Sequence, residues 1–210
     1  LDLLRLCQCK DCGFFGGPMQ QAHLAPTYAA VNAIAAIGTP QAYALVDRPA
    51  MVRFLLRCRD RRHRGGFVMH EGGESDVRGA YCALAVAALL NLHAPALSAH
   101  TAAYLRRCQS YEGGVGAEPG NEAHGGYTFC ALAAATLLGA PHALDLRRLA
   151  HWAVHMQDAD AGGFQGRANK LVDACYSFWV GALFPLLAAA TDGAPAAAGA
   201  ALPGDGDWLF

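Results

Sequence analysis

The sequence predicts an all-α fold in which helical hairpins repeat about every fifty residues. In each repeat a glycine-rich turn leads into an aromatic residue, and an Ala/Leu-rich helix follows. Successive marker tyrosines are 53, 46 and 49 residues apart (81−28, 127−81 and 176−127). These markers are Tyr28, Tyr81, Tyr127 and Tyr176. No stretch alternates with a period of two, so we expect no strands.

Each repeat pairs one helix that is apolar all round with one that is amphipathic. The apolar helices begin near the marker tyrosines, and the amphipathic ones are Met51–Cys58, Thr101–Cys108 and Leu146–Met156. A helix that is apolar on every side is buried, whereas an amphipathic helix turns one side to solvent. Stacked hairpins of this kind form either an open solenoid or a ring of inner helices inside outer ones, an α/α toroid.

We interpret residues 1–210 as a single, incomplete toroid domain of about four hairpins. An Ala/Gly/Pro-rich stretch at 188–207 reads as a flexible link. The chain begins at Leu1 and ends shortly after Asp207, in what looks like the opening of a further helix. We therefore expect a fragment that lacks both ends.

The composition argues against several classes of protein. With 54% hydrophobic and 16% charged residues, the chain is typical of a packed globule. Its net charge of −1 provides no field for nucleic acid or a membrane surface, and no apolar run reaches the roughly 18 residues of a membrane span. We expect the eight cysteines to be buried thiols or ligands rather than disulfides. The Cys7-x-Cys9-x-x-Cys12 pattern lacks the second pair typical of a zinc knuckle.

The stretch 162–179 (GGFQGRANKLVDACYSFW) concentrates the chemically active side chains. Asp173 and Cys175 are two residues apart, a spacing that cannot share one face of a regular helix. They can converge if Asp173 caps a helix and Cys175 lies in its first turn. Oxygen and sulfur ligands together suit zinc, and the nearby cations Arg167 and Lys170 suit a phosphate. The stretch predicts a metal-activated thiol that reacts with a phosphorylated partner.

The residues three positions before the marker tyrosines are predicted to share one helix-start position. These residues are Ala25, Arg78, His124 and Asp173. Parallel inner helices bring their N-termini to one rim, and helix N-termini attract anions. The alternative is that these residues are ordinary helix caps, which suits Asp173 but not Arg78.

Several longer strings carry a resemblance to a known family. They are HLAPTYAAVNA from His23, GGESDVRGAYCA from Gly72, EGGVG from Glu112, EAHGGYTFC from Glu122 and GFQGRANKLVDACYSFW from Gly163. Together they span nearly the whole chain, which resembles the β subunits of protein prenyltransferases, most closely the farnesyl branch. The resemblance implies an α/α toroid paired with a helical-repeat α subunit in the cytoplasm. It also implies farnesyl transfer from farnesyl diphosphate to the cysteine of a C-terminal Cys-aliphatic-aliphatic-X (CaaX) motif.

The resemblance further implies a role for each matching residue. It implies that two of three zinc ligands are Asp173 and Cys175. It implies that the diphosphate is bound by His124, Arg167, Lys170 and Tyr176. For the isoprenoid pocket it gives Tyr28, Tyr81, Tyr127, Cys130 and Trp179. For the carboxylate of the peptide it gives Arg78. The groups expected to carry catalysis are Asp173, Cys175, Tyr176 and Lys170.

Three features of the family are missing from this sequence. The third zinc ligand is a histidine that would lie beyond Phe210, and no histidine follows His155. An aspartate linked to Mg²⁺ and an upstream tryptophan that shortens the isoprenoid pocket are also absent, so the magnesium requirement stays open. We expect this fragment to be inactive alone. The alternatives are a geranylgeranyltransferase β subunit and a truncated, non-catalytic form that only binds the α subunit.

Overall fold

A computed structural model describes residues 1–9, 13–92 and 94–191, and most of these residues are helical. The helices are α1 (Asp2–Leu6), α2 (Leu24–Ile37), α3 (Pro40–Tyr43), α4 (Arg48–Arg57), α5 (Val77–Leu89), α6 (Pro95–Ser98), α7 (Thr101–Cys108), α8 (Gly125–Leu137), α9 (Leu146–Val154), α10 (Tyr176–Trp179) and α11 (Leu183–Thr191), with a 3₁₀ turn at Pro141–Ala143. The described residues contain no β-strand, only isolated bridges within turns. The prediction of an all-α fold is confirmed. None of the described helices is both long and apolar enough to cross a membrane.

The inner helices form a row, and the outer helices cover it. Helix α5 lies between α2 and α8, while α10 and α11 follow on the far side of α8. Helix α7 packs on α5 and α8, and α9 packs on α11. Most residues of α5 are buried, whereas α9 buries only Leu149, Trp152 and Ala153. The predicted alternation of buried and amphipathic helices is therefore present.

Small residues allow the inner helices to approach their neighbours closely. A β-carbon at Gly79 would lie 2.7 Å from the carbonyl oxygen of Phe67, and one at Gly125 would lie 2.9 Å from Cγ2 of Val180. The alanines Ala83 and Ala131 are likewise buried within the row. Because protein interiors are close-packed, larger side chains at these positions would push the turns away from the helices.

The turn before each inner helix has the same length in all four repeats. In each turn one residue forms an isolated β-bridge to the end of the preceding outer helix, and we call it the bridge residue. It lies nine positions before the residue at the start of the inner helix. The pairs are Phe14 with His23, Phe67 with Asp76, Val115 with His124, and Phe164 with Asp173 (23−14, 76−67, 124−115 and 173−164). In the first, third and fourth repeats the capping residue donates its N–H to the carbonyl of the bridge residue at 3.1 to 3.2 Å. This spacing brings all four helix starts to one rim.

An arginine replaces a glutamine where the second hairpin joins the third. Gln109 in the third repeat donates its side-chain amide to the carbonyls of Gly113 and Asp145, at 2.8 and 3.1 Å. In the second repeat the segment between the outer helix and the bridge residue is longer, with Arg59 bridged to Phe67 where Gln109 is bridged to Val115. Arg59 thus occupies the position of Gln109. Its guanidinium donates to the carbonyl of Leu97 and the hydroxyl of Thr101, at 3.1 and 3.0 Å, and burial lowers its pKa. The longer side chain thus connects the two hairpins across a longer turn.

The fourth inner helix is broken, although the sequence predicts a continuous one. Helix α10 ends at Trp179 and α11 begins at Leu183. Pro185 has no N–H to donate to the carbonyl of Gly181, which accepts instead from the N–H of Phe184 at 3.3 Å. The prediction of a flexible link from residue 188 is also wrong for residues 188–191, because α11 includes them. Residues 192–207, the rest of that link, lie outside the described residues.

The other helix bounds differ from the predictions by a few residues. Helix α4 begins at Arg48 rather than Met51, because Asp47 accepts a hydrogen bond from the N–H of Ala50 and Pro49 fits the first turn. Helix α9 ends at Val154 instead of Met156. Helix α7 has the predicted bounds.

The cysteines are mostly buried thiols, as expected. Free thiols are present at Cys7, Cys58, Cys82, Cys108, Cys130 and Cys175, of which only Cys175 is exposed. The expectation is wrong for Cys9, which is disulfide-bonded. Cys12 lies outside the described residues, and within them no three metal-ligating side chains form a group.

One position in each turn requires a left-handed backbone. It lies five residues after the bridge residue, and it is glycine in two repeats, with φ of 78° at Gly72 and 89° at Gly120. The other two repeats place Met19 (φ 64°) and Asn169 (φ 60°) there. Asparagine tolerates this conformation, whereas a methionine carries the full steric cost of its β-carbon, about 1–2 kcal/mol. Met19 is fully exposed, so its side chain gains no packing in return.

We expect Met19→Gly to stabilise the fold by about 0.5–1 kcal/mol. The gain is the released backbone strain minus the larger conformational entropy of glycine in the unfolded chain. Urea denaturation of the wild type and the variant measures the difference. The matched control is Met19→Ala, which removes the side chain but keeps the β-carbon and should give no gain. Equal stabilisation by both substitutions would contradict the argument.

Candidate functional site

A cavity of about 470 Å³ opens where the N-terminal ends of the inner helices meet. Most of the residues predicted to form the functional site line it: Tyr28, Arg78, Tyr81, His124, Tyr127, Cys130, Cys175, Tyr176 and Trp179. Three predicted residues, Arg167, Lys170 and Asp173, are not in its wall and lie on the turn that leads into α10. The cavity is also lined by His23, Met69, Glu74 and Cys82, which the sequence analysis missed.

The helix starts on the rim are capped by side chains at equivalent positions. His23, Asp76 and His124 each accept a hydrogen bond from the backbone N–H two residues later, at 3.0, 2.8 and 3.0 Å. Asp173 accepts the same bond from Cys175 at 2.9 Å, although α10 begins only at Tyr176. The alternative reading of an ordinary helix cap is therefore correct for His124. Asp173 lies two residues before Cys175, which is the N-cap residue of α10 and receives no side-chain cap.

The predicted equivalence of Ala25, Arg78, His124 and Asp173 is wrong. Ala25 and Arg78 donate the capped N–H groups and lie two positions inside their helices. The error comes from aligning the repeats on tyrosine. The tyrosine lies five residues after the cap in the first two repeats and three residues after it in the last two (28−23, 81−76, 127−124 and 176−173). The side chain of the cap, not the aromatic residue, marks the repeat.

Counting from the caps reveals a continuous row of aromatic rings. The fifth residues after the caps are Tyr28, Tyr81, Phe129 and Phe178. Neighbouring rings along this row have centroids 5.3, 5.6 and 5.0 Å apart. The hydroxyls of Tyr28 and Tyr81 are 3.0 Å apart and share a hydrogen bond, and Trp179 packs edge-on against Phe129. Phe129 is not among the predicted site residues, because it corresponds to Tyr81 only when the repeats are aligned on their caps.

Buried thiols and phenols make the inner wall of the cavity an uncharged surface. Burial raises the pKa of the Cys130 thiol and that of the Cys82 thiol. Burial and the hydrogen bond with Tyr28 raise the pKa of the Tyr81 hydroxyl. All three groups are therefore neutral at physiological pH, and the wall presents rings and neutral sulfur to whatever occupies the cavity.

His124 and Tyr176 form a hydrogen-bonded pair at the mouth of the cavity. The Nδ1 atom of His124 accepts the N–H of Gly126, so the neutral ring carries its proton on Nε2. Nε2 lies 3.0 Å from the hydroxyl oxygen of Tyr176 and donates to it, which leaves the tyrosine O–H available to a ligand. Burial and the nearby cation Arg167 lower the pKa of His124, which favours this neutral form.

Arg78 is held at the mouth by a carboxylate that the sequence analysis missed. The side chain of Asp76 is only 5% exposed, and its two oxygens accept from Nε and Nη2 of Arg78 at 2.6 to 3.1 Å. Glu74 lies 3.5 Å from the same guanidinium, and the Tyr127 ring packs against it at 5.9 Å. The hydrogen bonds to Asp76 raise the pKa of Arg78, so the guanidinium is a fixed positive charge.

Asp173 and Cys175 converge as the sequence predicts. The backbone N–H of Cys175 donates to Oδ1 of Asp173, and the thiol also hydrogen-bonds to this carboxylate. These two bonds lower the pKa of Asp173, while partial desolvation and the neighbouring carboxylate raise the pKa of Cys175. An exposed carboxylate and an exposed thiol thus meet at the cavity mouth, with Cys175 in its wall.

The two predicted phosphate cations are exposed on the adjacent turn. Arg167 forms an ion pair with Glu122 at 3.2 Å, in which both side chains are roughly half-exposed. Exposed pairs of this kind contribute about 0–1 kcal/mol, so a ligand anion can replace Glu122 at little cost. Lys170 is exposed one residue after Asn169, whose left-handed backbone shapes the turn.

The match to a family model decides what this architecture is. Residues 1–204 match the model described as the prenyltransferase alpha-alpha toroid domain. The chain belongs to this family. The predicted fold class, an α/α toroid, is therefore confirmed, and the row of inner helices is an arc of that toroid.

Individual relatives of this prenyltransferase toroid chain are named as subunits of protein prenyltransferases. The protein farnesyltransferase subunit beta of Arabidopsis thaliana is 49% identical over 187 residues, which cover 89% of this chain and 38% of the relative. The geranylgeranyl transferase type-1 subunit beta of the same plant is 34% identical over 200 residues, 83% of this chain and 52% of the relative. This chain therefore spans well under two thirds of either relative.

Among solved structures, Candida albicans protein geranylgeranyltransferase-I complexed with GGPP superposes on this toroid chain with a TM-score of 0.73. The two sequences are 25% identical, and the match covers 86% of this chain and 59% of the other. The likeness extends over most of the described helices, so the arc of hairpins is a shared architecture.

The His124 cap is expected to make stability depend on pH. Because the pKa of His124 is lower in the folded chain, the unfolded state binds more protons around pH 6. The contribution of the cap is fully present above the unfolded pKa of about 6.5 and is lost as the pH falls below it. Urea denaturation measures the free energy of unfolding at pH 8 and at pH 5.5. The decrease in this free energy between the two pH values should be smaller for His124→Asn than for the wild type, because the asparagine amide oxygen caps without titrating. His142→Asn, at an exposed histidine, should keep the wild-type decrease; an unchanged decrease in His124→Asn would contradict this role.

Proposed function

We propose that this chain is part of the β subunit of a protein farnesyltransferase. The enzyme would transfer a farnesyl group from farnesyl diphosphate to the cysteine thiol of proteins that end in a CaaX motif. One observation carries the proposal: a single cavity joins an uncharged aromatic wall to a mouth where the neutral His124–Tyr176 pair, the fixed cation Arg78 and the thiol of Cys175 meet, with Asp173 and two further cations on the adjacent turn. The names of the relatives, protein farnesyltransferase subunits beta, support the farnesyl group as the donor.

The aromatic wall suits the isoprenoid chain. Tyr28 and Tyr81 lie side by side in this wall, and Trp179 lines it near the mouth. Phe129, which is buried and outside the lining, packs against both Tyr81 and Trp179 and so supports the wall. A farnesyl chain has no polar group to match, so it gains affinity by burying apolar surface against rings, at about 25 cal/mol per Å². The neutral thiol of Cys130 and the ring of Tyr127 complete this wall without adding charge.

The mouth suits the diphosphate. Tyr176 has its hydroxyl proton free to donate because His124 already donates to its oxygen. Lys170 and Arg167 on the neighbouring turn add two positive charges. Negative charge grows on the diphosphate as it leaves, and donors fixed in place beforehand stabilise this charge more in the transition state than in the ground state.

Asp173 and Cys175 fit a zinc ion. Their oxygen and sulfur atoms already lie within hydrogen-bonding reach of each other, at the surface and beside the cavity. Bound zinc lowers the pKa of a coordinated thiol and so supplies the substrate cysteine as a thiolate. The described residues provide these two ligands and no third to complete a group. We therefore expect the 210 residues alone to bind zinc weakly; one tightly held zinc per chain in metal analysis would contradict this.

Arg78 suits the C-terminal carboxylate of the protein substrate. Its guanidinium lines the cavity and is held by Asp76, so it need not be ordered when the peptide binds. The carboxylate and the reacting cysteine are at opposite ends of the CaaX tetrapeptide. Arg78 and Cys175 both line the cavity, one in the first turn of α5 and the other at the start of α10, and the peptide would lie between them. We further propose that an α subunit completes the enzyme in the cytoplasm.

The isoprenoid length is tested with two donors. This chain shares more identity with the plant farnesyl subunit than with the geranylgeranyl subunit, 49% against 34%. We expect the complex of the α subunit and this chain, in the length its gene encodes, to turn over the fifteen-carbon diphosphate faster than the twenty-carbon one. Equal or faster turnover of the twenty-carbon donor would assign the chain to the geranylgeranyl branch. A stable complex without turnover of either donor would identify a non-catalytic form.

Lys170→Ala is expected to lower kcat by about 10²-fold, the effect of removing one preset charge donor from a site of developing negative charge. The CaaX peptide should bind with unchanged affinity, because Lys170 lies on the turn before α10 and outside the cavity wall. Single-turnover transfer in the same complex separates the chemical step from product release. Arg106→Ala removes an exposed cation of the outer helix α7 and should leave kcat as it is. An equal decrease of kcat in both variants would show that Lys170 acts only through the overall charge of the chain.

A further inference from the structure

Two histidines on the outer surface form a pair that the proposed reaction does not use. His151 and His155 are both exposed and lie four residues apart, in and just after the last turn of α9. Residues four apart in a helix are neighbours on one face, and the two rings have centroids 4.2 Å apart at 33° to each other. Both residues belong to an outer hairpin, apart from the wall of the cavity.

The proton of the second ring is fixed by the helix itself. Nδ1 of His155 lies 2.8 Å from the carbonyl oxygen of His151. A carbonyl can only accept, so Nδ1 carries the proton and Nε2 keeps its lone pair in the neutral ring. Histidines that bind metals have this arrangement, in which one ring nitrogen donates to a backbone carbonyl and the other faces the ion.

The backbone under the pair is rigid. Leu149, Trp152 and Ala153 of α9 are buried, and Asp145 caps its start by accepting from the N–H of Arg148 at 3.0 Å. A helix held in this way keeps its exposed side chains at a constant spacing. Less conformational entropy is therefore lost when a ligand bridges the two rings than on a mobile loop.

We propose that His151 and His155 bind one divalent transition-metal ion on the outer face of the toroid. Two imidazoles at i and i+4 on a helix are a known ligand pair for such ions, and imidazole suits copper, nickel and zinc. Within the part of the chain that the structure describes, no further His, Cys, Asp or Glu joins them, so water completes the coordination. Binding follows the order of intrinsic affinities, with Cu²⁺ held more tightly than Ni²⁺ or Zn²⁺.

The charge on the same helix opposes the ion without blocking it. Arg147 precedes His151 by one turn and is exposed. Solvent screens a neighbouring exposed charge strongly, so the repulsion weakens the site without abolishing it. Arg147→Glu would reverse this effect, because it replaces the repulsive charge by a carboxylate on the face of the two histidines. This variant should raise the affinity several-fold.

The test is a Cu²⁺ titration by calorimetry of the complex of full-length chain and α subunit, loaded beforehand with one equivalent of zinc so that the Asp173–Cys175 site is occupied, with electron paramagnetic resonance on the first equivalent of copper. We expect one saturable site whose spectrum shows two coordinated nitrogens. His151→Gln and His155→Gln should each weaken it at least about tenfold, as the loss of a direct ligand costs no less than that of its support. The control His142→Gln, on an exposed histidine outside α9, should bind like the wild type.

The copper titrations test the His151–His155 pair separately from the proposed prenyl transfer. Tight one-equivalent binding that persists in the double variant His151→Gln/His155→Gln would overturn the proposal, as would the absence of any copper site in the wild type. In either case the two rings would be only a stacked pair. Because all these side chains are exposed, circular dichroism should show unchanged folding. Prenyl transfer, measured in parallel, depends on Asp173 and Cys175 and so succeeds or fails independently.

Discussion

The capping hydrogen bonds at the helix starts are the interaction on which the rest of the structure depends. Helices α2, α5 and α8 each have free N–H groups at the first turn, and one side chain, nine residues after the bridge residue, satisfies one of them. The same side chain is fixed by its own backbone bond in three of the four repeats. Because this unit is repeated with constant length, the first turns of neighbouring helices lie side by side, and their fifth residues form one aromatic row.

The same caps take part in the functional site. His124 caps α8 through Nδ1 and orients Tyr176 through Nε2, so one ring serves both the fold and the cavity mouth. Asp76 caps α5 and holds Arg78 with the same carboxylate. Asp173, at the equivalent position before α10, accepts from the N–H of Cys175 and contacts its thiol. A substitution at any of these residues therefore alters the helix start and the site together.

The sequence predicted the helices well because burial determines them locally. The apolar runs around Ala83 and Ala131 have no polar face, so they could only be inner helices. The candidate residues on 162–179 were also identifiable, since a carboxylate, a thiol and two cations seldom occur so close together. The register of the repeats was not predictable from the aromatic residues. Position five after the cap is tyrosine or phenylalanine, and position three is proline, glycine or tyrosine. The tyrosine that opens the helix is therefore Tyr81 at position five in the second repeat but Tyr127 at position three in the third.

Other differences depend on single contacts that no pattern encodes. The break between α10 and α11 results from one missing N–H at Pro185, next to a run that otherwise reads as helix. Asp76 resembles any exposed aspartate in the sequence, and only the tertiary structure shows that it is buried beneath a guanidinium. The reach of Arg59 across the second turn similarly depends on the position of α7.

The chemical nature of the caps sets the electric field at the rim. Carboxylates lie at two helix starts, where Asp76 caps α5 and Asp173 precedes α10, and neutral imidazoles cap α2 and α8. A carboxylate offsets the positive end of the helix dipole, whereas a neutral imidazole does not. The Asp76 charge is in turn balanced by Arg78, while Asp173 retains its own. The starts of α2 and α8 thus keep the positive end of the dipole without a carboxylate to offset it. An anion that enters the cavity beside His124 meets that field next to the hydroxyl of Tyr176.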